Sequence, residues 1–314
     1  MPTPATILWP LEPHSKAKHL VLRNYLDAWL PILGSVSGRL LFVDGFAGPG
    51  EYYGGEEGSP LIALRAFAEH KAKHIIKAEV RFIFIESDHA RVEHLRQVVE
   101  PWRRRLPAPS AVDIIEGKFD ETMAEALDSL DAQAERLAPA FVMIDPFGVS
   151  GTPMRIVRRI LSNPKAEIYA SFMYEAINRF KATPEFERHL TDLFGCEDWR
   201  AGIDIEAPVA RRDFFYGLYE RQLRQAGAQH VVHFEEGRSC QWRPPAMSKL
   251  TKRRVRGSGP IQTARSCSSN ESGLTRQPSP RPSSKGPGGR RTTKPKNDVG
   301  GKKAFLEGID GGIV

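Results

Sequence analysis

The sequence predicts an α/β fold built on a doubly wound, Rossmann-like parallel sheet. Five short apolar runs, continuous and rich in Val, Ile and Phe, alternate with longer stretches of helical periodicity. Several of these runs end in a carboxylate followed by glycine or proline, the chemistry expected at the carboxyl edge of such a sheet. A third observation bounds the domain: after Glu236 the composition changes abruptly.

The strands are read at residues 40–44, 80–86, 112–115, 141–145 and 168–172. Ahead of the first, Leu22, Leu26, Trp29 and Leu30 share one helical face before Pro31. Helices are expected over residues 89–105 and 121–137. A last helix near 213–225 precedes a sixth strand read at 230–234.

The chain has 314 residues, 40% of them hydrophobic, enough for one large domain or two small ones. No apolar run is long enough to span a membrane, and the first residues lack the charged and apolar regions of a secretory signal, so a cytoplasmic location is expected. Cys196, Cys240 and Cys267 are odd in number and lack metal-ligand spacing, which argues against a disulfide scaffold and a zinc site.

The net charge of +7 is unevenly placed. Residues 237–314 carry 17 Lys and Arg against 4 Asp and Glu, a net of +13, which leaves residues 1–236 at −6. In that second segment Gly, Pro and Ser fill 30 of 78 positions, and it is expected to be a disordered, basic, low-complexity tail. A basic arm touching phosphates, a tail without a task and a shifted reading frame all fit that composition.

The first strand runs into Asp44-Gly45-Phe46-Ala47-Gly48-Pro49-Gly50, a carboxylate followed by a glycine-rich turn that lets a ligand approach the backbone. The turn completes neither a phosphate loop nor a dinucleotide fingerprint; taken alone, it reads first as a tight strand-to-helix connection, and it is the other strand ends that favour a ligand. The second strand delivers Glu86, the usual partner of ribose hydroxyls, or else an ordinary surface acid. After the third strand, Asp120 follows Gly117-Lys118-Phe119 and either bounds an adenine ring or caps the next helix. The fourth strand gives the sharpest signal, Asp145-Pro146-Phe147-Gly148: a carboxylate and adjoining carbonyl for an exocyclic amine, with an aromatic ring to stack on a base. Its bland counterpart is an Asp-Pro turn with Phe147 in the core.

Together, Asp44-x-Phe46-x-Gly48-x-Gly50 and Asp145-Pro146-Phe147-Gly148 resemble the motifs of class I S-adenosylmethionine-dependent methyltransferases acting on exocyclic amines of nucleobases. The second is similar to the Asp-Pro-Phe-Gly of tRNA guanine methyltransferases and departs from the Asp-Pro-Pro-Tyr of adenine enzymes. Over residues 12–234 the chain more closely resembles the three-Cys-motif partner protein family, TcmP. The markers are His14-Ser15-Lys16-Ala17-Lys18-His19 followed by Tyr25 and Trp29, Phe42 through Gly50, Gly54 through Pro60, and Ile144 through Gly148. That resemblance implies a methyltransferase-like fold and a three-cysteine, radical-S-adenosylmethionine-like partner, which would hold any iron–sulfur cluster. It also implies a last strand hairpin that this chain lacks past Phe234, so the chain reads as a truncated or frame-shifted member with an unpaired sheet edge.

The expected site follows from these readings. Asp44, Gly45, Phe46, Gly48, Gly50, Glu86 and Asp120 would hold S-adenosylmethionine, and Asp145, Pro146 and Phe147 would hold the amine and its ring, with no metal. The Lys16–His19 cluster is read as the solvated face of a helix; otherwise it folds over the pocket, where Lys16 or His14 would meet a carboxylate or phosphate. His70 and His74 are read as lying on a surface helix. The rival function is a non-catalytic partner of the three-cysteine protein. Nucleic acid as a partner has support within the fold only from Arg103-Arg104-Arg105 and from Arg155, Arg158 and Arg159.

Overall fold

The computed structural model describes residues 6–234, so the expectations for residues 237–314 lie outside the described residues. The apolar runs form five strands: β1 (Arg39–Asp44), β2 (Glu79–Glu86), β3 (Ser110–Glu116), β4 (Ala140–Ile144) and β5 (Ala166–Ala170). They lie in the order β3-β2-β1-β4-β5 and every pairing is parallel, which makes the sheet Rossmann-like. Phe42 of β1 stands level with Phe82 on one side and Phe141 on the other. Between β1 and β4 the strand order reverses, and such switch points open a crevice at the carboxyl edge.

Helices cover both faces. On one side α1 (Pro13–Gly34), α2 (Ser59–Ala68) and α3 (His89–Arg103) pack on Leu40, Phe42, Phe82, Phe84, Phe141 and Met143. On the other, α4 (Phe119–Ala132), α5 (Met154–Leu161), α7 (Pro184–Phe194) and α8 (Pro208–Gln225) pack on Leu41, Val43, Ile83, Ile85, Val142 and Ile144, joined by α6 (Tyr174–Phe180). Strand residues of alternate parity thus serve opposite layers, which is why the runs are apolar at nearly every position. That parity also aims the acids that end the strands. Asp44 continues the series of Phe42, Glu86 that of Phe82 and Phe84, and Asp145 that of Phe141 and Met143, all toward the layer of α1, α2 and α3.

Four expectations are corrected. Residues 230–234 form no strand among the described residues: Val232 and Phe234 are 56% and 58% exposed, and His233 turns to Glu220 on α8. Without a buried face or a paired neighbour, a short β-branched run has nothing to hold it extended. The fourth strand stops at Ile144, leaving Asp145 just beyond it. α4 ends at Ala132 rather than 137, because Ala134 takes a left-handed conformation (φ 56°) and the Leu137 amide donates to Asn163 Oδ1.

The fourth correction concerns His70, which lies on no helix but is buried in the turn after α2. α1 runs straight through Pro31, whose missing N–H leaves the Asp27 carbonyl without its helical donor. His70 Nε2 lies 2.9 Å from that carbonyl, and the Ala72 amide donates to Nδ1, so the proton sits on Nε2. The imidazole replaces the bond that proline removes.

Candidate functional site

The carboxyl ends of β1, β2 and β4 and the loops that follow them make the site. Glu86 is its fastener: Oε2 accepts from the Gly48 amide (3.0 Å) and Oε1 from the Asp88 amide (2.8 Å). The first-strand turn is held down again by Ala47 N–H to Ile85 O, and the third-strand turn by Gly117 N–H to Glu86 O, both 3.0 Å. Asp88 then caps α3 by accepting from the Arg91 amide.

Beside these loops opens a cleft of about 570 Å³, within the range of roughly 300–1,000 Å³ usual for small-molecule sites. Gly45, Phe46, Glu86, Asp120, Pro146 and Phe147 line it, with Arg179, Phe180 and His189 from the α6–α7 side. Asp120 does not cap α4, because Lys118 occupies the cap position. Its Oδ1 is instead buried without a hydrogen-bond partner, an acceptor to spare in the wall of the cleft.

Four of the expected residues do not line the cleft. Asp44 is completely buried, with Oδ1 accepting from the Phe46 amide at 3.2 Å and Oδ2 unpartnered. Burial pushes its carboxyl up to about 7; the Ser59 hydroxyl and the Phe46 amide oppose the shift, and the charges of Asp145 and Glu86 add to it. Gly50 (φ 88°) serves packing, since a Cβ there would stand 2.7 Å from Leu95 Cδ1. Gly48 (φ 62°) backs onto Trp9. Asp145 points at α1, where Lys18 Nζ lies 2.7 Å from Oδ1 and 2.6 Å from Oδ2.

The Lys16–His19 segment is therefore not simply a solvated face. Lys18, rather than Lys16 or His14, reaches the carboxylate; the other two are exposed. Helical spacing held the clue: Lys18 lies four residues before Leu22 and so extends the buried stripe of Leu22 and Leu26. Its neighbour His19 packs against Tyr52, with ring centroids 5.6 Å apart. Burial lowers the His19 imidazole to about 4, aided by the Lys18 charge and opposed by that of Asp145, so the ring is neutral at physiological pH.

Trp9 and Arg91 were not among the expected site residues. Trp9 meets Phe147 edge-on at 5.4 Å and Tyr52 at 5.9 Å. The Arg91 guanidinium lies 5.1 Å from the Trp9 ring and 6.0 Å from that of Phe147. Neither carries a sequence motif: Arg91 is an ordinary residue in the first turn of α3, and the Trp9 carbonyl is brought to the loop by the Tyr53 amide (3.0 Å).

No family model and no curated protein sequence matches the chain. Among solved structures it is similar to "Putative methyltransferase yhhF from Escherichia coli", at 18% identity and a TM-score of 0.30, over 52% of this chain and 73% of that one.

Proposed function

We propose that this chain is an S-adenosylmethionine-dependent methyltransferase of the three-Cys-motif partner type, cytoplasmic, acting on an exocyclic amine such as that of a nucleobase. One observation supports the reading: at the switch point between β1 and β4, Gly45 and Phe46 of the first turn, the carboxylate ending β2 and the Pro146-Phe147 pair that follows Asp145 line one cleft. The segments that resemble the TcmP markers touch in pairs at the same edge of the sheet: Lys18 bonds Asp145, and the Gly58 amide closes on the Gly50 carbonyl at 2.7 Å.

The residues present fit the cofactor. Asp120 Oδ1, buried and unpartnered, suits an adenine amine, and Glu86 keeps a free lone pair on each oxygen for ribose hydroxyls. Phe46 and Gly45 supply an apolar floor. The cofactor would supply an electrophilic methyl group on a sulfonium, whose sulfur would keep the C–S electron pair as a neutral thioether. The task left to this chain is to hold an uncharged amine in line and to receive the N–H proton that the methylated nitrogen sheds. Asp145 accepts that N–H, and Pro146 and Phe147 fix the plane of the ring.

The non-catalytic reading, a partner of a three-cysteine protein, is favoured by one feature: Asp145 already carries an ion-pair partner. Calorimetry with S-adenosylmethionine separates the two readings, with Asp44→Ala and Glu86→Ala as controls and circular dichroism to monitor folding. Saturable binding lost in both folded variants supports the methyltransferase; no binding by folded wild type favours the partner role.

A further inference from the structure

Lys18 stands outside the cleft, on a helix that precedes the sheet, yet its ammonium holds both oxygens of the carboxylate assigned above to the substrate amine. The two side chains are each 23% exposed, so the pair is partly buried rather than fully solvated. Tyr169 on β5 and His19 flank it; burial pushes Tyr169 up to about 12 and leaves His19 neutral, so neither adds charge at neutral pH. Asp44, which also faces this layer, is pushed up to about 7 by burial, and Glu86 is bonded to two amides. Arg91 adds a fixed cation over Phe147; the net charge at the carboxylate itself is set by its ion pair with Lys18.

That balance has a chemical consequence. A nitrogen attacks a methyl group only with its lone pair free, whereas an alkylamine at neutral pH carries its proton on that lone pair. A lone carboxylate would hold such an ammonium and stabilise its unreactive form. A carboxylate neutralised by Lys18 gives a cation no net attraction, and the ammonium of Lys18 repels it. The same carboxylate retains acceptor sites for the N–H of an uncharged amine. A ring-conjugated amine, whose lone pair is delocalised and unprotonated, fits this arrangement, and Phe147, Trp9 and Arg91 present flat surfaces beside it.

Building on the function proposed above, we propose that Lys18 is a specificity-determining positioning residue that, through its ion pair with Asp145, restricts the site to uncharged, ring-conjugated amines and excludes alkylammonium substrates. The ion pair joins α1 to the end of β4 across 127 residues of sequence. Lys18 thereby orients the carboxylate as well as setting its net charge.

The test uses the full-length protein with S-adenosylhomocysteine added, and compares wild type, Lys18→Met and Lys18→Arg. The probes are adenosine, cytidine and guanosine for uncharged amines, and cyclohexylamine hydrochloride and Nα-acetyl-lysine amide for cations. Binding is read by ligand-observed NMR, with circular dichroism and S-adenosylmethionine affinity as controls. Wild type is expected to bind at least one nucleoside and neither cation. Lys18→Met shifts the ratio toward the cations by about tenfold or more, the effect of one charge within hydrogen-bonding distance, and Lys18→Arg restores the wild-type preference. Wild type that binds cations as well as nucleosides, wild type that binds neither, or an unchanged ratio in folded Lys18→Met overturns the proposal. If Lys18→Met does not fold, Lys18→Gln, which also removes the charge, is read in its place by the same criterion. Failure of S-adenosylmethionine to bind folded wild type instead refutes the methyltransferase reading on which the proposal rests.

Discussion

Asp44→Asn removes a carboxylate that the fold buries completely at the end of β1. Burial raises its carboxyl from 3.8 to about 7, so the folded protein binds this proton more tightly than the unfolded chain does. The stabilising effect of the protonated form is fully present below the unfolded value and is lost as pH rises through the folded one. The interval is roughly three pH units, and at about 1.4 kcal/mol for each the loss comes to about 4 kcal/mol between about pH 4 and about pH 8. Asparagine carries no such titration, while its side-chain oxygen still accepts from the Phe46 amide. Urea unfolding followed by circular dichroism, on both proteins across that range, isolates the effect, because titrating groups not coupled to Asp44 cancel in the difference and the coupling to Asp145 and Glu86 is the smallest part of its shift. The stability of Asp44→Asn relative to wild type is expected to climb by about 4 kcal/mol as pH rises. Two parallel stability curves would refute the reasoning, since Asp44 would then titrate alike in the folded and unfolded chains.

Other expectations follow from the same geometry. His70→Ala leaves the Asp27 carbonyl without a donor and should cost about 1–3 kcal/mol in thermal or urea unfolding; adding Pro31→Ala restores the helix's own N–H and should recover part of the loss. Gly45→Ala drives a Cβ into the Phe119 ring, and overpacking of this kind should cost about 1–3 kcal/mol, read as a lowered Tm. Asp88→Ala removes the side-chain cap of α3 and should cost about 1 kcal/mol, whereas Lys118→Ala, at a position with no side-chain cap bond, should be close to neutral in the same unfolding assay. On the proposed function, binding of the cationic cofactor beside Asp44 at pH 7 should release a fraction of a proton, and the calorimetric heat should vary with the ionisation enthalpy of the buffer.

Much of this fold is legible in the amino-acid sequence, and the reason is local. A strand buried on both faces must be apolar at consecutive positions, so the five runs mark themselves, and their parallel pairing follows from the helices between them. Of the residues expected at and after the strand ends, Gly45, Phe46, Glu86, Asp120, Pro146 and Phe147 line one cleft, whereas Asp44, Gly48, Gly50 and Asp145 do not. The sixth strand failed because a run of Val, Val, His and Phe is strand-like only when a neighbour pairs with it, and Val232 and Phe234 instead face solvent.

What only the tertiary structure decided is the company each side chain keeps. Asp145 lies one residue past β4 with its parity toward α1, and no spacing rule links it to Lys18, 127 residues away. His70 looked like half of a surface pair until Pro31 left a carbonyl for it to satisfy. Trp9, which carries no motif, becomes part of the site because the loop at Tyr53 hydrogen-bonds the segment beneath it. Periodicity and turn chemistry act over a few residues and can be read along the chain. Ion pairs, replacement hydrogen bonds and ring contacts act through space, and they exist only once the sheet has brought distant segments to the same edge.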